Sequence, residues 1–200
     1  MIDKVVIFDA SERMHISLPL EVIAEINRIR PVGAIQTVSK DFVDKFARGS
    51  YNERRGQVNV DSFVNDISTA PVMQKFYKNG KLILLDYDLY GEGLNWCFGG
   101  FTPTNVGLGY VILSTAKMQN NGQARDWLRH ELGHMFGAPS TSRKNTYESL
   151  GLHCSTPLCV MQQKLTVDEA VRYAEQRARA NATTYCRDCE KDIKNFNPEK

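Results

Sequence analysis

The apolar positions open as an unbroken run, Val5 to Phe8, which Asp9 interrupts. A short run apolar on both faces predicts a buried strand. The period then changes. Val22, Ile26 and Ile29 recur at i, i+4 and i+7 behind Ser17, which predicts a helix capped by Ser17, with Pro19 tolerated in its first turn. "PVGAIQTVS" predicts a second strand, "RGSYNERRGQ" a polar loop, and "VDSFVNDISTAPVMQKFYKNG" one or two short helices ending near Gly80. "KLILLDYDLY" predicts a strong strand, and "LNWCFGGF" and "GYVILSTAKM" predict two more, separated by the turn-prone "TPTNVGLG". A helix is expected from about Gln123, with Leu128, Leu132 and Met135 facing the core and His130 and His134 on a different face. Thr166 and Glu169 form a T-x-x-E capping box for a late helix running to about Ala182.

Strand and helix alternate through the first 90 residues, which predicts an α/β (α+β) domain with parallel pairings. No repeat or linker divides the chain. It reads as one domain with two lobes, residues 1–137 ending in the helix with the histidines and residues 138–200 beyond it.

Composition changes this picture little. With 200 residues, 42% hydrophobic and 24% charged, the chain can bury a core without covalent staples. A formal charge of +2 and no long basic run argue against a nucleic-acid partner. The opening apolar run is too short for a signal segment or a membrane span, so neither export nor a membrane partner is expected, and the cytoplasm is the default location. A monomer is the default oligomeric state. In the cytosol, closely spaced cysteines more often bind metal or react than form disulfides, which bears on the five present here.

The chemistry is densest at "RHELGHMFGAPS". His130, Glu131 and His134 form H-E-x-x-H. Imidazoles four apart on a helix project side by side and can reach one zinc ion, with Glu131 placed as general base for a water attacking a carbonyl. By itself the motif also occurs by chance in unrelated helices. Trp127, Leu128, Met135 and Phe136 make this helix half-buried, where two histidines need partners, and Gly137 is suited to end it with positive φ. A catalytic zinc has three protein ligands and water. Of the four histidines His15 reads as a surface residue, which leaves His153.

"GLHCSTPLCVMQQ" and "YCRDCEK" give Cys154, Cys159, Cys186 and Cys189 the spacing of a four-thiolate zinc site. A redox C-x-x-C or a pair of disulfides is the alternative, although this C-x-x-C follows a polar helix rather than a βα turn. Cys97 reads as a buried thiol. Met161, just beyond His153, can form a hydrophobic floor beneath the imidazoles.

H-E-x-x-H-x-x-G, then H-C-x4-C-x-M, then C-x-x-C, together with "DYDLYGEGLNWCFGGF" and "GYVILSTAKM", resembles the archaemetzincins, a branch of the metzincin zinc peptidases. The resemblance covers roughly residues 80–190. It implies a metzincin-like domain whose mixed twisted sheet has an antiparallel edge strand, an active-site helix and a zinc-stapled C-terminal subdomain. It implies two zinc ions, one catalytic on His130, His134 and His153 with Glu131 as general base, and one structural on Cys154, Cys159, Cys186 and Cys189. Met161 becomes the methionine turn, and "NWCFGGF" the upper-rim strand that pairs with a peptide substrate. Two departures stand out. Residues 138–152, fifteen in all, occupy the place of two in the family, so thirteen are extra; they read as a surface excursion beside the cleft. Gln163 stands where some metzincins have a tyrosine.

A peptide-hydrolysing zinc metallopeptidase is therefore the expected function. A zinc-stabilised peptide-binding or regulatory protein with little turnover is the alternative, and zinc sites that only staple the fold a third. Glu148 as a gluzincin-like third ligand also stays open.

Overall fold

Both faces of the first strand are apolar because both are covered. The computed structural model describes residues 3–37, 40–91, 93–104 and 107–197. The N-terminal elements are β1 (Asp3–Ala10), α1 (Ser17–Asn27), β2 (Val32–Thr37), α2 (Lys40–Gly49), β3 (Tyr51–Asn52), β4 (Gln57–Asn59), α3 (Val60–Ser68) and α4 (Pro71–Gln74). The middle comprises β5 (Gly80–Leu85), β6 (Leu89–Gly91), β7 (Leu94–Cys97), β8 (Gly99–Thr102), β9 (Tyr110–Ser114) and α5 (Asn121–Met135). Then follow β10 (Thr146–Glu148), β11 (Leu152–Cys154), α6 (Val167–Arg179) and α7 (Arg187–Asn195).

The main sheet has the order β2-β1-β5-β9-β8, parallel except for the antiparallel edge strand β8. Strand side chains alternate between faces. Val5, Ile7, Leu82, Leu84, Val111 and Leu113 enter one core with residues of α1 and α5, whereas Val6, Phe8, Ile83, Leu85 and Ile112 enter a second with residues of α2 and α3. The first core also takes Cys154, Met161, Tyr185 and Ile193, so it extends into the C-terminal region. The result is the mixed α/β domain expected. Among the described residues no helix is long and apolar enough to cross a membrane.

Several expectations need correction. Ser17 does not cap α1: the cap position is Ile16, and the Ser17 hydroxyl is engaged by His15 Nδ1 at 2.9 Å. "KLILLDYDLY" is two strands in different sheets, because Asp86 turns aside to accept hydrogen bonds from the Ser11 hydroxyl and the Glu12 amide. "LNWCFGGF" is likewise divided between β7 of a four-stranded sheet (β3-β4-β6-β7) and β8 of the main sheet. The polar loop contains the β3–β4 hairpin, and α2 and α7 are additional helices. In "PVGAIQTVS" the strand ends at Thr37, and positions 38 and 39 lie outside the described residues.

Candidate metal centres and cleft

Helix α5 is fixed at both ends and on two sides. Asn120 caps it, Oδ1 accepting from Gln123 N at 2.9 Å. At the other end Gly137 has φ +75°, and the amides of Gly137 and Ala138 donate to the His134 and Gly133 carbonyls, a Schellman turn that glycine alone adopts without strain. Arg129 makes a two-pronged contact with Glu25 of α1, each bond 2.8 Å. Asp126 bridges Arg129 and the buried Arg177 of α6, at 2.9 Å to each. Remaining Arg177 donors are taken by the Leu158, Thr183 and Thr184 carbonyls.

The face of α5 so presented carries His130 and His134, and strand β11 brings His153 to them. The three ring centroids lie 4.8, 5.1 and 5.1 Å apart. Backbone partners fix the rings: His130 Nδ1 bonds the Val160 carbonyl at 2.9 Å, His153 Nδ1 the Gly151 carbonyl at 2.8 Å, and His134 the Ala138 backbone. With Nδ1 donating to a carbonyl, Nε2 carries a lone pair. His130 and His134 Nε2 are 3.2 Å apart. Two lone pairs at that distance repel unless a cation sits between them, and tetrahedral zinc with bonds of about 2.0–2.1 Å separates its nitrogen ligands by about 3.3 Å. The residues therefore fit zinc. Burial, followed by the His153 charge, pushes His130 down to about 4, and burial also lowers His134 and His153. All three are thereby held in the neutral, ligating form.

Glu131 lies beside them in the same cleft, its carboxyl pushed up to about 8 by burial. Beneath α5, the fully buried Met161 occupies the space where a Gly133 side chain would stand, since a Cβ there would overlap Met161 Sδ. Its carbonyl accepts from Cys154 N at 2.9 Å, tying the methionine segment to the strand that carries His153.

On the far side of that strand Cys154, Cys159, Cys186 and Cys189 converge, all sulfurs lying within 4.8 Å of one another. Cys154–Cys186 and Cys159–Cys189 are each 3.7 Å apart, far beyond disulfide length and close to the roughly 3.8 Å of a tetrahedral zinc tetrathiolate. Cys186 is held well below the ordinary thiol range by hydrogen bonds from the Cys159 and Cys189 thiols. Cys97, by contrast, is half-buried on the cleft wall, and burial pushes its thiol up to about 12, which makes it a poor nucleophile.

The histidine cluster opens into a cleft of about 670 Å³ bounded by Phe98–Phe101 on one side and Gln162–Leu165 with Tyr173 on the other. Phe98 stacks on Trp127 at 4.0 Å, setting the β8 side against α5.

No family model matches the sequence, and no curated protein matches it. Solved structures do. An archaemetzincin from Methanopyrus kandleri superposes with a TM-score of 0.66 at 19% identity, covering 96% of this chain and 93% of that one. One from Archaeoglobus fulgidus, in complex with malonate, gives 0.60 at 19% identity over 96% and 99%. A zinc-dependent peptidase from Methanocorpusculum labreanum gives 0.60 at 17% over 95% and 99%. The fold is that of the archaemetzincins.

Within this archaemetzincin fold residues 138–152 form more than a surface excursion. Arg143 donates to Cys189 Sγ at 3.1 Å and Cys154 Sγ at 3.2 Å and pairs with Asp192 at 2.7 Å. Asn145 reaches Thr156 and Asp188. The segment then pairs β10 with β11, Tyr147 opposite His153, and its turn places Leu150 and Gly151 at the cleft rim. Glu148 is exposed and stands outside the histidine cluster, whereas His153 completes it. The Tyr147 hydroxyl accepts from the amide of Gln163, at the position where some metzincins carry a tyrosine. Arg143, Gly133 and Tyr147 were not singled out by sequence spacing, because each acts through a contact that only the folded chain creates.

Proposed function

We propose that the chain is a zinc-dependent metallopeptidase of archaemetzincin type, hydrolysing bonds in extended peptides. One observation carries this reading: three imidazoles with converging Nε2 lone pairs share a cleft with the half-buried Glu131 carboxyl and an unpaired strand edge. His130, His134 and His153 would hold the zinc, which when bound polarises the scissile carbonyl and acidifies water. Glu131 would take the proton of the attacking water and return it to the leaving amine. Burial raises the Glu131 carboxyl and so favours its holding the proton it takes from the water. Strand β8 pairs with β9 on one side only among the described strands, so its outer edge can take up an extended peptide by backbone hydrogen bonds. Gly100, with open space where a side chain would stand, lets the peptide approach. Cys154, Cys159, Cys186 and Cys189 would hold a second, structural zinc, for two per chain.

The test is digestion of a peptide library by wild type and by Glu131→Ala with matched metal content. Wild type is expected to cleave, and the variant to be slower by at least about 100-fold, the contribution of a positioned general base. Equal cleavage by both would refute the assignment. The second reading, peptide binding with little turnover, is favoured by the rim position of Leu150, a residue 64% exposed. It predicts that peptide affinity measured by calorimetry is unaffected by Glu131→Ala while wild type fails to cleave.

A further inference from the structure

We propose that Lys164 is the carboxylate anchor of this cleft, so that the peptides it selects carry a carboxylate on the side where the chain leaves Met161 for α6. The proposal deepens the peptidase reading and rests on it. After Met161 the segment Gln162–Leu165 runs along the cleft wall. Lys164 is half-buried there, its Nζ donating to Gln162 Oε1 at 3.2 Å and the Gln163 carbonyl at 3.1 Å and lying 3.7 Å from the centroid of the Tyr173 ring. All three partners are neutral, and among the described residues no carboxylate stands within ion-pair distance of Nζ. The other cations around the site differ: Arg129, Arg143 and Arg177 are each paired with an acid. Glu169, the acid whose charge reaches Lys164 from beyond ion-pair distance, has an Oε2 that accepts from the Leu165 amide at 3.0 Å.

Position makes this charge relevant to a substrate. Lys164 lines both the main cleft and an adjoining one of about 450 Å³, which also share Gln163, Leu165 and Tyr173. A peptide crossing from the histidines into the second cleft passes Nζ, and the exposed Arg172 lies beyond it. The Lys164 charge also reaches the histidines, lowering His130 and His153. A partly desolvated ammonium satisfied only by neutral acceptors gains most from a carboxylate, through a charge-assisted bond. That carboxylate can come from an acidic side chain or from the peptide's C-terminus.

The experiment uses the full-length, zinc-loaded protein and two sets of paired peptides: Glu against Gln at each position, and free C-terminal carboxylate against C-terminal amide. Wild type is expected to prefer the carboxylate member of one set by about tenfold in kcat/KM, equivalent to about 1.4 kcal/mol. The set that responds identifies the source. Lys164→Met should bring the ratio to within about twofold of unity, Lys164→Arg should retain it, and Lys164→Glu should reverse it in favour of the uncharged member of the responsive pair. A preference that survives Lys164→Met, or a wild type indifferent to both sets, overturns the proposal. The same pairs titrated calorimetrically into Glu131→Ala, with and without Lys164→Met, read the anchor independently of turnover. If wild type cleaves nothing while the binding ratio holds and falls on Lys164→Met, the peptidase reading fails and the anchor stands; a ratio near unity removes the anchor.

Discussion

The histidine and cysteine clusters lie back to back on one short strand and differ in donor number and access. His153 and Cys154 are consecutive residues of β11, and alternation along a strand sends one side chain to each cluster. The histidine cluster has three neutral donors, an adjacent carboxyl and an open cleft, so a tetrahedral metal there keeps a position free for water or substrate. The cysteine cluster has four donors with three sulfur-bearing residues buried, and Arg143 covers part of the thiolate charge. Under the proposed function, donor number and access separate a site that would react from one that would hold the fold.

The largest expected effect falls on the closed site. Cys186→Ser should remove one metal and unfold at least the C-terminal region, because structural zinc contributes about 10–16 kcal/mol in small zinc domains, as much as a whole domain's stability. Far-UV circular dichroism with metal analysis checks this, and a native-like melting temperature would break the comparison. His153→Ala should also lose one metal of two but keep the fold, separating the sites by stability rather than by stoichiometry.

Gly133→Ala comes next. Its new methyl group collides with Met161 Sδ beneath the helix, and overpacking of this kind costs about 1–3 kcal/mol. Denaturant unfolding measures the loss, and weaker metal retention by the histidine site should accompany it. The smallest effect belongs to Arg143→Ala. Its hydrogen bonds to charged partners contribute about 1.5–3 kcal/mol when intact, and truncating this largely covered side chain admits water that replaces part of them. Faster release of the cysteine-bound metal to a chelator, with the histidine site unaffected, is the expected signature.

Helix and strand alternation was legible wherever one face or both carried a regular apolar pattern, as in Val5–Phe8 and in Leu128, Leu132 and Met135. The two helices not anticipated differ in their signals. Phe42, Val43, Phe46 and Ala47 lie at helical spacing, so α2 can be found in the sequence, whereas α7 buries only Cys189 and Ile193 on an otherwise polar segment. The divisions of "KLILLDYDLY" and "LNWCFGGF" were not legible, because an apolar run does not record which sheet its backbone joins. That choice is made by pairing: β5 joins β1 and β6 joins β4, both remote in sequence, and β7 and β8 then follow their neighbours β6 and β9 into different sheets.

The sequence by itself determined which donors stand close along one element. Four-residue spacing on a helix aligns His130 with His134, and the cysteine pairs cannot spread far along the chain. Only the tertiary structure decided that fifteen intervening residues return His153 to those histidines, that Arg143 reaches back to the thiolates, and that Lys164 lines the cleft with no acid of the described residues at ion-pair distance. Local spacing fixes what neighbours along an element can share. The ends of a loop meet only when distant strands and buried charges hold them there.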